Sequence, residues 1–263
     1  MLNLKRSLGQ NFLTDKNIIE KITLLAQIKN RFVIEIGPGT GNLTESIVKK
    51  NPKKIVLIEK DKRFCDILRK KYNSNKNYTT INKDILDCDL SKYNHKKAIV
   101  FGNLPYNVST QILAKFISES FKTPFFHKLI FMFQKEVAKR IMAKYKSKEY
   151  GRLAILTNFN MEVVGNFQIS RNCFFPKPQV DSTILVFKPK NKISYEIKKI
   201  KNLEKITNIL FSNKRKMINK AFSKLFDNYN EVARQLNINL HLRPSELSFD
   251  DYYRITEYYE KNE

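Results

Sequence analysis

The sequence predicts an α/β fold: a mostly parallel sheet that ends in an antiparallel hairpin, followed by a small all-helical domain. Three observations carry that reading. Short apolar runs recur at 32–36, 55–59, 78–81, 98–101 and 129–133, with helical periodicity between several of them. Such alternation is the pattern of parallel strands joined by helical crossovers. After Gly151 the strand-like runs crowd together, at 152–157, 161–169 and 183–187, so the last part of the sheet is expected to be an antiparallel hairpin. Beyond Phe187 the composition shifts: Lys188-Pro189-Lys190-Asn191-Lys192 reads as a linker and the remainder as helix. The expected domains are 1–188, a sheet domain with an N-terminal arm, and 189–263, a helical domain.

The elements follow in order. The first fourteen residues are basic and then turn-like at Gly9-Gln10-Asn11. A helix capped near Thr14 or Asp15 comes next, with Ile18, Ile19, Ile22, Leu25 and Ala26 on its apolar face. Phe32-Val33-Ile34-Glu35-Ile36 is the first strand and runs straight into Gly37-Pro38-Gly39-Thr40-Gly41, after which a helix carries Leu43, Ile47 and Val48. Ile55-Val56-Leu57-Ile58-Glu59 is the second strand, and Phe64, Ile67 and Leu68 mark the helix behind it. Further helices are expected at 111–120 and 135–143, and beyond the linker at 203–211, 216–225, 229–236 and 250–259.

At 263 residues the chain can bury a sizeable core, and 42% hydrophobic with 12% aromatic content argues against disorder. Lys+Arg 49 against Asp+Glu 25 leaves +24 and a pI of about 9.8, which favours a polyanionic partner, nucleic acid before membrane. No apolar run approaches the roughly 20 residues of a spanning helix. No apolar segment follows Lys5 and Arg6 as a signal peptide would require. A cytoplasmic protein without membrane contact is expected. Cys65, Cys88 and Cys173 lack C-x-x-C spacing and read as reduced structural thiols. His95, His127 and His241 are scattered, so no metal site is expected.

Two stretches carry chemistry. The first, Gly37-x-Gly39-x-Gly41, sits between a strand and a helix, where glycine lets a ligand approach the backbone. A dinucleotide fingerprint needs G-x-G-x-x-G, and Asn42 stands where its third glycine belongs. With the net charge of +24, this disfavours a nicotinamide oxidoreductase. Glu59 ends the next strand, where a carboxylate can accept both hydroxyls of a ribose. The second stretch is Asn103-Leu104-Pro105-Tyr106, at the end of an apolar strand that Pro105 forbids from continuing. The Asn103 side-chain oxygen and Leu104 carbonyl are two acceptors, Pro105 holds the backbone and Tyr106 is a flat stacking surface. Two acceptors and a ring suit a planar group bearing an –NH2, such as the exocyclic amine of adenine.

Asn103-Leu104-Pro105-Tyr106 resembles the (Asn/Asp/Ser)-Pro-Pro-(Tyr/Phe) signature of methyltransferases that act on amino nitrogens. Four more stretches fit one branch of that class: Lys5-Arg6-Ser7-Leu8-Gly9-Gln10-Asn11-Phe12-Leu13, Glu35-Ile36-Gly37-Pro38-Gly39-Thr40-Gly41, Phe174-Phe175-Pro176-Lys177-Pro178-Gln179-Val180-Asp181-Ser182, and Asn213-Lys214-Arg215-Lys216. In that order they resemble the ribosomal RNA adenine dimethyltransferase family, in its small-subunit (KsgA/RsmA) branch, from Lys5 to about Tyr253. The resemblance implies a class I methyltransferase with a Rossmann-like sheet. It also implies S-adenosyl-L-methionine as cofactor and S-adenosyl-L-homocysteine as product. By resemblance Asn11, Leu13, Gly37, Gly39, Glu59, Asp84 and Asn103 form the cofactor site, with Glu59 on the ribose and Asp84 on the adenine amine. Asn103, Leu104, Pro105, Tyr106 and Phe174 form the catalytic set, the two rings holding the target base between them.

The implied substrate is a pair of adjacent adenosines in a hairpin loop near the 3′ end of 16S rRNA, both dimethylated at N6. The partner is then the immature small ribosomal subunit, met by a monomer. In this reading the Tyr106 hydroxyl has no task, so Tyr106→Phe is expected to be nearly silent. The close competitor is the large-subunit (23S) adenine methyltransferase of macrolide resistance, which shares these motifs. Asn213-Lys214-Arg215-Lys216-Met217-Ile218 and Arg243-Pro244-Ser245-Glu246-Leu247-Ser248 look like the small-subunit branch. The family residue at 214 is usually Arg, and Lys there keeps the charge but loses the planar fork. A different class, a non-catalytic assembly factor, is separated by labelling: cofactor-dependent methylation of rRNA requires an enzyme.

Charge is unevenly spread along the C-terminal part. Residues 188–225 hold 12 basic and 2 acidic side chains, whereas 226–263 hold 4 and 8. On an expected helix, Lys216, Lys220 and Lys224 share one face and Met217, Ala221 and Leu225 another. With Lys214 and Arg215 they are expected to contact RNA phosphates.

Overall fold

The computed structural model describes residues 11–72, 75–93, 97–121 and 123–262. Lys5 to Gln10 of the N-terminal motif and His95 lie outside them. The strands are β1 (Phe12–Leu13), β2 (Phe32–Ile36), β3 (Lys54–Glu59), β4 (Tyr78–Asn82), β5 (Ala98–Asn103), β6 (Phe126–Gln134), β7 (Met161–Ile169), β8 (Phe174–Phe175) and β9 (Ser182–Pro189). The helices are α1 (Lys16–Thr23), α2 (Asn42–Lys49), α3 (Lys62–Tyr72), α4 (Ser109–Glu119), α5 (Lys135–Ile141), α6 (Arg152–Asn160), α7 (Ile200–Leu210), α8 (Asn219–Phe222), α9 (Tyr229–Gln235) and α10 (Phe249–Asn262).

Seven strands form one sheet in the order β4-β3-β2-β5-β6-β9-β7, and β1 pairs antiparallel with β8 in a small separate ladder. β2 through β6 run parallel to their neighbours, and β9 runs antiparallel to β6. The expected mixed sheet is what forms. Parallel strands are covered on both faces, which is why they read as unbroken apolar runs. Val33, Ile34, Val100 and Phe101 are fully buried, and Phe101 and Val33 join Ile19, Ile22, Ile47 and Leu68 in one core cluster.

Asp15 resolves the first helix start: its carboxylate accepts from the N–H groups of Asn17 at 2.9 Å and Ile18 at 3.0 Å. Such a cap satisfies donors that the first turn leaves orphaned. α1 then buries Ile19 and Ile22, as its periodicity predicts.

Two local expectations fail. Residues 152–157 are helix, the first part of α6, not strand. Ala154, Ile155, Leu156, Thr157 and Phe159 are all buried, so α6 is covered on every side and shows no amphipathic period. A short apolar run of that kind cannot be told from a strand by pattern. The expected helix over 216–225 shrinks to Asn219–Phe222. The N–H groups of Ile218 and Asn219 are taken by the carbonyls of Leu242 at 2.9 Å and Leu240 at 3.2 Å, so a distant segment sets where this helix begins. Ile218 and Phe222 are buried, and Met217, expected on the apolar face, is exposed.

The chain groups into two compact units. One comprises Met1–Ala138 and Val163–Pro189, the other Lys139–Glu162 and Lys190–Glu263. Residues 139–162, which a boundary at 188/189 leaves with the sheet, fall in the second unit. Within that unit the Tyr253 hydroxyl donates to the Ile155 carbonyl at 3.0 Å, and the rings of Phe211 and Tyr252 stack at 5.7 Å. Among the described residues no helix is long and apolar enough to cross a membrane.

Candidate active site

Strand order reverses between β2 and β5, since β3 and β4 lie beyond β2 while β6 and β9 lie beyond β5. Open α/β sheets leave a crevice at that switch point, outside the carboxyl ends of the strands. The loops that follow β2 and β5 are Gly37–Gly41 and Leu104–Tyr106, so both predicted stretches meet there. Gly37, Gly39, Glu59, Asn103 and Tyr106 line one cleft there.

The glycine loop is built from left-handed backbone: φ is +63° at Gly37, +54° at Gly39 and +83° at Gly41. A side chain at these positions is strained. Space adds to the restriction, because a Cβ at Gly39 would lie 2.6 Å from the Phe12 ring. The close neighbour of Gly39 is thus the arm residue Phe12, which also meets Phe64 edge-on at 5.3 Å. Both rings line the cleft.

Glu59 ties this loop to the sheet. Its carboxylate oxygens accept from the N–H of Gly39 at 3.0 Å and of Asp61 at 2.8 Å. Burial pushes its carboxyl above the usual range, and those two N–H groups pull it back. Each oxygen keeps a further lone pair for a ligand donor. Deeper in, Glu35 accepts from Thr44 Oγ1 at 2.7 Å, and burial raises its pKa to about 8.

Asn103 closes the other side. Its Nδ2 donates to the Asn11 carbonyl at 3.0 Å, which commits the amide nitrogen to the arm and leaves Oδ1 to accept from a ligand. Asn42, the residue that breaks the dinucleotide fingerprint, has a related role: its Nδ2 donates to the Leu13 carbonyl at 2.8 Å. Two asparagines therefore hold the arm against the cleft. Tyr106 lines the cleft, and its hydroxyl lies 2.7 Å from Ser182 Oγ.

Not every predicted residue joins this group. Leu13 is buried and lines a smaller cavity with Glu35, Gly37 and Asn103. Phe174 is only 4% exposed, belongs to the core cluster and does not line the cleft. β8 pairs with β1, and alternation along the strand turns Phe174 inward and Phe175 out, to 67% exposure. Asp84 is absent from the cleft wall as well. Its Oδ1 accepts from the Leu86 N–H at 2.9 Å and its Oδ2 from Lys60 Nζ at 2.8 Å. Burial alone would raise its carboxyl, but Lys60 and the Leu86 N–H outweigh it and hold it below the usual range.

Lys214, Arg215, Lys216, Lys220 and Lys224 are all exposed, in the second unit. Lys216 lies in a bend before α8 and Lys224 in a turn after it, so the single basic helix face does not form. Pattern reading misses Phe12, Lys60 and Phe64 as cleft walls. Phe12 sits inside the N-terminal motif, whereas Phe64 carries no signal beyond its helix period. Among the described residues, no group of three His, Cys, Asp or Glu side chains is placed to hold a metal ion.

A sheet with this order, a glycine loop after one central strand and Asn-Leu-Pro-Tyr after the next define a class I methyltransferase. The residues fit S-adenosyl-L-methionine: left-handed Gly37 gives open backbone, and a buried carboxylate with spare lone pairs faces the cleft. A family model for ribosomal RNA adenine dimethylase matches residues 1–261. The chain is 45% identical over 256 residues to the Ribosomal RNA small subunit methyltransferase A of Pelagibacter ubique (strain HTCC1062), covering 97% of each. Among solved structures it is similar to a dimethyladenosine transferase from Plasmodium falciparum, with 26% identity, a TM-score of 0.77 and coverage of 95% of this chain and 98% of that one. It shares its fold with the 23S rRNA methyltransferase ErmE, at 20% identity and a TM-score of 0.67 over 95% of this chain and 99% of that one. The chain belongs to the ribosomal RNA adenine dimethylase family. It is an S-adenosyl-L-methionine-dependent rRNA adenine dimethyltransferase.

Proposed function

We propose that the enzyme dimethylates N6 of two adjacent adenosines in a hairpin loop near the 3′ end of small-subunit rRNA. It acts as a monomer in the cytoplasm, on immature small subunits. The name of its 45%-identical relative supports the choice of subunit. The single observation that carries the chemistry is the Asn103 amide, whose nitrogen is held by the Asn11 carbonyl at 3.0 Å at the mouth of the cleft.

Bound S-adenosyl-L-methionine supplies an electrophilic methyl group. The chain's own task is to make a poor nucleophile attack. The adenine N6 lone pair is delocalised into the ring. Hydrogen bonds from its two N–H groups to Asn103 Oδ1 and the Leu104 carbonyl localise that pair and aim it, and N6, cationic once it carries the methyl, then releases a proton. Pro105 fixes the turn between the acceptors and the Tyr106 ring, on which the base stacks. Catalysis is then mainly orientation. The base must first leave its stack, at a cost of a few kcal/mol. Gly37, Gly39, Glu59, Asn11 and Asn103 hold the cofactor, with Leu13 behind them. Asp84 reaches the cofactor's adenine amine only by sharing the oxygen that Lys60 now holds. Phe174 supports the cleft from the core instead of stacking. Lys214, Arg215, Lys216, Lys220 and Lys224 supply phosphate contacts that position the RNA without reading it.

Asn103→Ala removes the acceptor and frees the arm. Single-turnover methylation of immature small subunits, with RNA and cofactor saturating, should slow roughly 100- to 1,000-fold, the scale for losing one preorganised hydrogen-bond partner of the reacting group. Mapping of N6-dimethyladenosine in rRNA from cells with and without the gene checks the target. Label on large-subunit rRNA, or binding without label, would sink this reading.

A further inference from the structure

We infer that Ser182 is a positioning residue for the methyl transfer: its side-chain hydroxyl holds the hydroxyl of Tyr106 and so fixes the ring on which the target base stacks. This rests on Tyr106 being the stacking surface, and adds what keeps that surface in place.

Stacking by itself needs no hydroxyl, because a phenyl ring stacks equally well. Yet the Tyr106 hydroxyl lies 2.7 Å from Ser182 Oγ, and Ser182 is completely buried. The serine is a rigid anchor. It opens β9 opposite Gln134 of β6, and next to it the Asp181 carbonyl accepts from the Lys135 N–H at 3.0 Å. At the backbone end of the tyrosine, the Tyr106 carbonyl accepts from Ser109 Oγ at 3.2 Å, and the Pro105 carbonyl accepts from the Val108 N–H at 3.2 Å. The ring is thus tied at both ends, to the loop after β5 and to the start of β9. Cutting the far tie frees rotation about Cα–Cβ and leaves a buried hydroxyl unpaired.

The proton stays where this pairing needs it. Burial pushes the Tyr106 phenol upward, the Ser182 hydrogen bond pulls it back, and nearby Asp181 pushes it up again. The net shift is upward, so the phenol is neutral near pH 7 and holds its O–H for the pair.

The test is single-turnover methylation of immature small subunits, with RNA and cofactor saturating, for Ser182→Ala, Tyr106→Phe, the double variant and Tyr106→Ala. Each of the first two should lower the rate constant about 3- to 10-fold, the range that one neutral hydrogen bond corresponds to. The double should be no slower than the slower single, because both substitutions remove the same hydrogen bond. Affinity of the Ser182→Ala variant for S-adenosyl-L-methionine, measured by calorimetry, should be unchanged, so that the loss appears in the rate constant alone. Wild-type rates for both singles, or losses that multiply in the double, overturn the proposal while leaving the stacking surface in place. A wild-type rate for Tyr106→Ala removes the stacking surface itself. Tyr106→Phe as dead as Tyr106→Ala would make the phenol a chemical group and also overturn it. Should Ser182→Ala fail to bind cofactor, Tyr106→Phe decides: a partial loss supports the anchor, and no loss or a complete one refutes it.

Discussion

The cleft and the basic surface of the second unit are built in opposite ways. In the cleft, Glu59 is 8% exposed, Tyr106 is pinned at its hydroxyl, and Asn103 is committed to the arm. Lys214 through Lys216, Lys220 and Lys224 are exposed and spread over turns and one four-residue helix. Chemistry on a weak nucleophile needs acceptors and a ring fixed to fractions of an ångström, which only buried, cross-bonded groups provide. Attraction to a polyanion needs charge near the surface and tolerates loose geometry. Damage in the two regions should therefore be read by different instruments.

The largest effect tests the core behind the cleft. Phe174→Ala should cost about 3–5 kcal/mol of stability, because the ring is packed in the core. Denaturant unfolding measures this. A stable variant with abolished turnover would instead return Phe174 to the stack. Next, Glu59→Ala should weaken S-adenosyl-L-methionine binding by ~1.5–3 kcal/mol, the scale of charge-assisted hydrogen bonds. Calorimetry on protein with intact circular dichroism checks it, and unchanged affinity would remove Glu59 from the site.

A smaller effect concerns pH. The Glu35 carboxyl rises to about 8 in the fold from its ordinary 4.5, so between those values the folded state binds a proton that the unfolded chain has released. Stability from this group is fully present below 4.5 and is lost as pH rises toward 8. Glu59, also raised by burial, adds in the same direction. Glu35→Gln, which can still accept from Thr44, should flatten this slope and gain more than about 1 kcal/mol at pH 8 relative to pH 5. Urea unfolding at the two pH values decides it, and parallel wild-type and variant profiles would place the proton elsewhere.

The smallest effect per residue belongs to the basic surface. Replacing Lys216, Lys220 and Lys224 with Ala should lower the log–log salt slope of RNA binding by roughly 0.7–0.9 for each phosphate that is no longer neutralised. Single-turnover rates at saturating RNA should hold. Since no common helix face joins these lysines, the effects of the three single replacements should add. An unchanged slope in the triple variant would make them ordinary solvated side chains.

Much of this molecule is legible in the chain because its signals are local. Strand-forming apolar runs, the break imposed by Pro105 and the left-handed need at Gly37, Gly39 and Gly41 all depend on a residue and its neighbours. Asn103 and Glu59 follow, since each ends a strand whose carboxyl end has to face the crevice. Residues 152–157 read wrongly as strand because a helix buried on every side has no amphipathic period to detect. The basic helix over 216–225 fails because backbone bonds to Leu240 and Leu242, far along the chain, decide where α8 starts.

The sequence by itself determined the class of sheet, the two loops that meet at the cleft and the net charge of +24. Only the tertiary structure decided that Phe12 lies over Gly39, that Asn42 and Asn103 hold the arm, that Phe174 turns inward and that Tyr106 meets Ser182. Each of these joins residues distant in the chain, and such pairings are set by which strand ends the folded sheet brings side by side, not by any local preference.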